Sequence, residues 1–95
     1  MALTKYAFTK GLKELRFLFC HTSEHSAATR SFLQRAYPTM KRHNPYTPIL
    51  MREAQGTPPT LYARYEFGKE KREPLDGLSD KEIEEKVRAL ALSHS

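Results

Sequence analysis

A chain of 95 residues has room for one domain with a small core, since two cores at this length would each bury too little surface. Hydrophobic residues at 39% and charged residues at 28% exclude a disordered chain, and no window holds the roughly 18 to 20 apolar residues of a membrane-spanning helix. The net charge of +5 favours acidic partners, and a single cysteine excludes an internal disulfide and suits a reducing or intracellular compartment.

Residues 1–13 carry Lys5, Lys10 and Lys13 and no acid, the first carboxylate being Glu14. An acid-poor, hydroxyl-bearing start has the character of an uncleaved mitochondrial targeting signal, though it lacks arginine; the plainer expectation is a flexible N-terminal segment over 1–12. Leu15, Phe17 and Phe19 then alternate with Arg16, Leu18 and Cys20, the period of a half-buried strand over about 13–20. Ser23 or Ser26 can cap a helix to about His43, with Ala28, Phe32, Leu33, Ala36, Tyr37 and Met40 as its apolar stripe. Lys41, Arg42 and His43 suit the last turn, and Pro38 predicts a kink or an early end.

A second strand is expected over 48–53 and a third over 60–67, where Leu61, Ala63, Tyr65 and Phe67 share the inward face. A turn at 68–70 leads into a short charged edge strand, Lys71 to Leu75. Ser79 to Glu82 form a capping box, with Leu78 and Ile83 placed as a staple across it; Ile83, Val87 and Leu90 make the buried stripe of the last helix.

The helix between the first two strands makes them parallel, while the six residues Ala54 to Pro59 are too few for a second crossover, so the third strand is antiparallel. The expected fold is α/β: a four-stranded mixed sheet in the order 2-1-3-4 with two main helices, the thioredoxin-like arrangement less one helix, over a single domain 1–95. With both helices on one side, the other face carries Arg16, Leu18, Leu50, Arg52, Tyr62 and Arg64. Arg16, Arg52, Tyr62 and Arg64 are the partner-docking candidates, because Arg and Tyr combine apolar contact with directed hydrogen bonds. The bland alternative is a solvated sheet face.

Cys20-His21-Thr22-Ser23 is a C-x-x-S turn between a strand and a helix, where a thiolate is stabilised by the helix N-terminus and nearby donors. Ser23 stands where a resolving cysteine would be, so thiol chemistry here would need an outside thiol such as glutathione. Pro59, just before the third strand, is expected from topology to be cis and to face Cys20. His21, His25, His43 and His94 make no metal pattern, since zinc wants three or four ligands. Glycine-rich phosphate loops, a Ser-His-Asp order and nucleic-acid-binding signatures are absent from the sequence.

GLKELRFLFC, the C-x-x-S turn, N-P before PILMRE, and LYARYEFGKE followed by PLDGLS resemble the small thioredoxin-like accessory subunit of mitochondrial NADH:ubiquinone oxidoreductase, respiratory complex I. The likeness spans about residues 11–92. It implies a non-catalytic structural or assembly subunit with no cofactor, metal or small-molecule substrate. Its partners would be other subunits of the peripheral arm, with no nucleic acid and no membrane span, and its place the matrix side of the mitochondrial inner membrane. Cys20, Ser23 and Pro59 would then be the remains of a thiol site. Animal members carry a second cysteine after the I-R-E of the second strand; here Ala54 follows Arg52-Glu53, which removes the internal disulfide. A mitochondrial large-subunit ribosomal protein with the same domain is one alternative, though the last helix here is acid-rich rather than a basic tail for RNA. A monothiol glutaredoxin-like protein is another, weakened because Asp76-Gly77 is out of register for holding glutathione.

Overall fold

The computed structural model describes residues 8, 9 and 11–92. Most of the segment read as a targeting signal, 1–7 and Lys10, lies outside the described residues, as does His94.

Strand β1, Leu12–Phe19, is central to the sheet. Leu12, Leu15, Phe17 and Phe19 are all buried, although Leu12 and Leu15 are an odd number of residues apart. A register shift between Leu12 and Glu14 in the pairing with β3 explains this, because an extra residue on one strand restores the inward phase. After Cys20 a single turn, Glu24–Ser26, leads into helix α1, Ala27–His43. Thr29, Phe32, Leu33, Ala36 and Met40 form its buried face. The helix does not end at Pro38: that residue lies on the exposed side and the helix runs on to His43. At its C-terminus the Asn44 side chain donates to the Met40 carbonyl at 2.9 Å.

Strand β2, Ile49–Glu53, pairs parallel with β1, Leu15 opposite Ile49. Strand β3, Thr60–Tyr65, runs antiparallel on the other side of β1, and β4, Glu70–Pro74, antiparallel to β3. The order is β2-β1-β3-β4, as the connection lengths require. Helix α2, Asp80–Ala91, opens on the full capping box: the Glu82 N–H donates to Ser79 Oγ at 3.2 Å and the Ser79 N–H to Glu82 Oε1 at 2.9 Å. One core takes in the inward residues of β1 and β3, Ile49, and the buried stripes of both helices, so α1 and α2 cover the same sheet face. Within it the Tyr65 hydroxyl donates to the Leu90 carbonyl at 2.6 Å, tying β3 to α2.

Alternation also puts Met51 in phase with Ile49 on the inward side, but Met51 and Phe67 are both exposed. Met51 is 47% exposed because β2 is an edge strand and α1 leaves a groove there, lined by Met51, Leu33, Tyr37 and Pro38 among others. Phe67 is 94% exposed because β3 ends at Tyr65 and a turn reverses the chain before the alternation reaches it.

Candidate functional site

Two places hold the residues singled out by sequence: the corner where β1 ends, and the sheet face that no helix among the described residues covers.

At the corner, Cys20 is buried, and its backbone N–H donates to Ser26 Oγ at 3.0 Å. Ser26 thus serves the strand end instead of capping α1 with its side chain. Ser23 Oγ donates to Cys20 Sγ at 3.0 Å and the Gly56 N–H reaches the same sulfur at 3.3 Å. Arg30 Nη1 donates to the carbonyls of Cys20 and Ser23 at 2.9 and 2.8 Å, pinning the turn to the first turn of α1. These donors favour the thiolate: chiefly the Ser23 hydroxyl, then the Thr22 and Gly56 N–H groups, they bring the Cys20 pKa from 9.0 down to about 5 against the opposing effect of burial.

The thiolate is thus electronically prepared but enclosed. The turn after β2 closes over it, with Gly56 at φ 77° and the Ala54 N–H bonded to the Phe19 carbonyl at 2.9 Å. Ala54 sits beside the end of β1, and the chain has no second cysteine to put there. Pro59 is buried, but its peptide bond is trans, contrary to the cis expectation. Trans is the default state of an X-Pro bond, and the turn at Gly56 redirects the chain without the rarer isomer. The Pro59 carbonyl accepts the Leu75 N–H at 2.9 Å, which extends the β3–β4 pairing by one bond and engages it within the sheet. No three histidine, cysteine or acidic side chains cluster to hold a metal among the described residues.

On the open face the strand registers set the residues in rows. Leu50, Arg16, Tyr62 and Arg72 lie side by side; Arg52, Leu18, Thr60 and Pro74 form the row on one flank, and Glu14, Arg64 and Glu70 the row on the other. Arg16, Arg52, Tyr62 and Arg64 are therefore brought onto one face, as their alternation requires, and Arg16, Leu18, Arg52 and Tyr62 line a shallow hollow of about 400 Å³. The face is not uniformly cationic. Arg16 pairs with Glu14 and Glu70 at 3.3 Å each and stacks 5.0 Å from the Tyr62 ring centre, while Arg64 reaches Glu14 at 3.4 Å. Arg52 and Arg72 are the cations of this face with no ion pair among the described residues. Sequence reasoning missed Glu14, Glu70 and Arg72. Their signal was the pairing register, which places Glu14 across from Arg64 and Arg72 across from Tyr62.

The profile of the family described as "Mitochondrial ribosomal protein L51 / S25 / CI-B8 domain" matches residues 29–80. The chain is 65% identical over 91 residues to the NADH-ubiquinone oxidoreductase 10.5 kDa subunit of Neurospora crassa, covering 96% of this chain and 97% of that one. It is 44% identical over 77 residues to the NADH dehydrogenase [ubiquinone] 1 alpha subcomplex subunit 2 of Arabidopsis thaliana, covering 81% and 79% of the two chains. To the protein of the same name from Mus musculus it is 41% identical over 73 residues, 77% and 74% of the two. By sequence along nearly its whole length, this chain belongs to the family of NADH:ubiquinone oxidoreductase subunits that includes alpha subcomplex subunit 2.

Proposed function

We propose that this protein is a non-catalytic accessory subunit of mitochondrial NADH:ubiquinone oxidoreductase, a single thioredoxin-like domain that stabilises the peripheral, matrix-facing arm. The observation that carries this reading is the 65% identity to the Neurospora crassa subunit across nearly the full length of both chains. The family profile also takes in mitochondrial ribosomal proteins, so the shared domain by itself does not separate the two assemblies; the individual relatives favour the oxidoreductase.

The site geometry fits a structural role. Cys20 is buried under the Gly56 turn and lacks a resolving cysteine, and the Pro59 carbonyl is already bonded within the sheet. Cys20, Ser23 and Pro59 are in this reading the relic of a thiol site that now serves the fold. The working surface is the open sheet face, where Arg16, Arg52, Tyr62 and Arg64, joined by Arg72, meet an acidic neighbouring subunit. No helix among the described residues is long and apolar enough to cross a membrane, so attachment to the inner membrane runs through partner subunits.

Affinity purification of the tagged protein from mitochondria, followed by mass spectrometry, tests the assignment. Subunits of the NADH dehydrogenase arm are the expected co-purifying proteins. Recovery of large ribosomal subunit proteins in their place would overturn it.

A further inference from the structure

The loop between β3 and β4 holds its aromatic residue in a costly way. The Tyr65 N–H donates to the Lys69 carbonyl at 2.7 Å, closing the hairpin, and the Glu66 N–H donates to the Gly11 carbonyl at 3.1 Å, hooking the loop to the start of β1. Between these bonds two successive residues enter the left-handed region, Phe67 at φ 64° and ψ 25°, and Gly68 at φ 75°. Glycine accepts this without strain, and asparagine is the side-chain-bearing residue that tolerates it best; for a bulky aromatic residue it is an outlier. Phe67 is the single non-glycine residue with positive φ among those described.

The fold gets nothing visible in return. The ring is 94% exposed and makes no ring contact or cation contact among the described residues. Tyr46 is as exposed, but its hydroxyl is at home in water; Leu50, Met51 and Leu92 are all about half covered. Backbone strain persists where the surrounding structure imposes it, and it gathers at functional sites. A large aromatic side chain on a short, doubly anchored loop has little freedom left to lose on binding, which is what an interface anchor needs.

We propose that Phe67 is an anchor that inserts into an apolar socket on a neighbouring subunit of the oxidoreductase, an inference that rests on the assignment above. Beside the ring lies a hollow of about 430 Å³ whose lining includes Lys13, Arg64 and Glu66. Arg64 is already engaged by Glu14, but Lys13 has no ion pair among the described residues and calls for a carboxylate at the rim of the partner's socket. The loop adjoins the Arg64 and Glu70 end of the open sheet face, so one neighbour can meet both.

The test is Phe67→Asn in the full chain, expressed in cells lacking the wild-type copy, with Phe67→Tyr as the conservative variant. The purified asparagine variant is expected to melt at or above the wild-type temperature, because asparagine takes the left-handed conformation more readily. Its recovery with oxidoreductase subunits is expected to fall about 10-fold or more, the loss typical of a central aromatic anchor, while Phe67→Tyr is recovered nearly as wild type. Normal recovery of Phe67→Asn would overturn the anchor, and so would a lowered melting temperature accompanying its loss, since the ring would then be serving the fold. If wild-type protein itself fails to co-purify with oxidoreductase subunits, the functional assignment falls, and the anchor with it.

Discussion

Hydrogen-bond donors gathered around one sulfur decide the chemistry of Cys20. The Ser23 hydroxyl is the strongest, so Ser23→Ala is expected to raise the thiol pKa from about 5 part of the way back to 9.0, read as thiolate ultraviolet absorbance across a pH titration. A depressed folded-state pKa contributes stability that is complete above the unfolded value of 9.0 and is lost as pH falls through about 5. Melting curves of wild type and Cys20→Ser should accordingly diverge between those limits, the wild type gaining as pH rises. Catalysis by the assembled oxidoreductase should not share this dependence: with no resolving cysteine and a buried thiol, Cys20→Ser is expected to leave NADH:quinone activity near wild type, and a large loss in fully assembled enzyme would contradict the structural role. The C-x-x-S turn was legible because its parts are neighbours in sequence. The Gly56 donor was not, since it comes from a turn 36 residues away that only the pairing of β2 with β1 brings over the sulfur.

Helices declare their ends locally, and the capping box of α2 is the clearest case. Removing its hydroxyl in Ser79→Ala leaves the Glu82 N–H without its partner and is expected to cost about 1 kcal/mol, roughly 4–8 °C in melting temperature for a domain of this size. A thermal melt or a urea titration measures it. The same end of α2 is tied to α1 through Arg35, which bonds both Asp80 and Glu84. The Arg35 guanidinium holds the Asp80 carboxyl below its usual 3.8, with burial opposing and Ser31 assisting, so this contact stabilises the fold above that pH and fades in stronger acid. Strand ends are less legible than helix caps. Alternation in β3 extends naturally to Phe67, yet the strand stops at Tyr65 because the hairpin closes there, and a closing bond to Lys69 leaves no mark in the hydropathy pattern. Pro38 misleads in the opposite sense: its cost depends on which side of the helix it faces, and it faces water.

At the scale of the whole molecule, the sheet has one face packed under two helices and one face that no helix among the described residues covers. Arg16 and Arg64 are largely engaged with Glu14 and Glu70, which leaves Arg52 and Arg72 as the groups most available to a partner's carboxylates. Replacing both by alanine is expected to weaken incorporation into the oxidoreductase, by about 2–5 kcal/mol if the pairs are fully desolvated in the interface, without lowering the melting temperature of the isolated protein. Blue-native gels beside thermal melts separate docking from folding. Unchanged assembly with Arg16, Arg52, Arg64 and Arg72 all replaced would leave this face merely solvated.

What the sequence determined by itself is what short-range rules govern. Alternation placed the strands, helical spacing placed the stripes of α1 and α2, and the lengths of the connections left one economical strand order, because six residues cannot carry a crossover. The same alternation put Arg16, Arg52, Tyr62 and Arg64 on one face. What only the tertiary structure decided is which charges on that face cancel, what covers the Cys20 sulfur, the trans state of Pro59 and the exposure of Phe67. Each depends on groups far apart in the chain meeting at a few ångströms, and such meetings are set by register and turn geometry, to which a one-dimensional pattern of apolar and polar residues is blind.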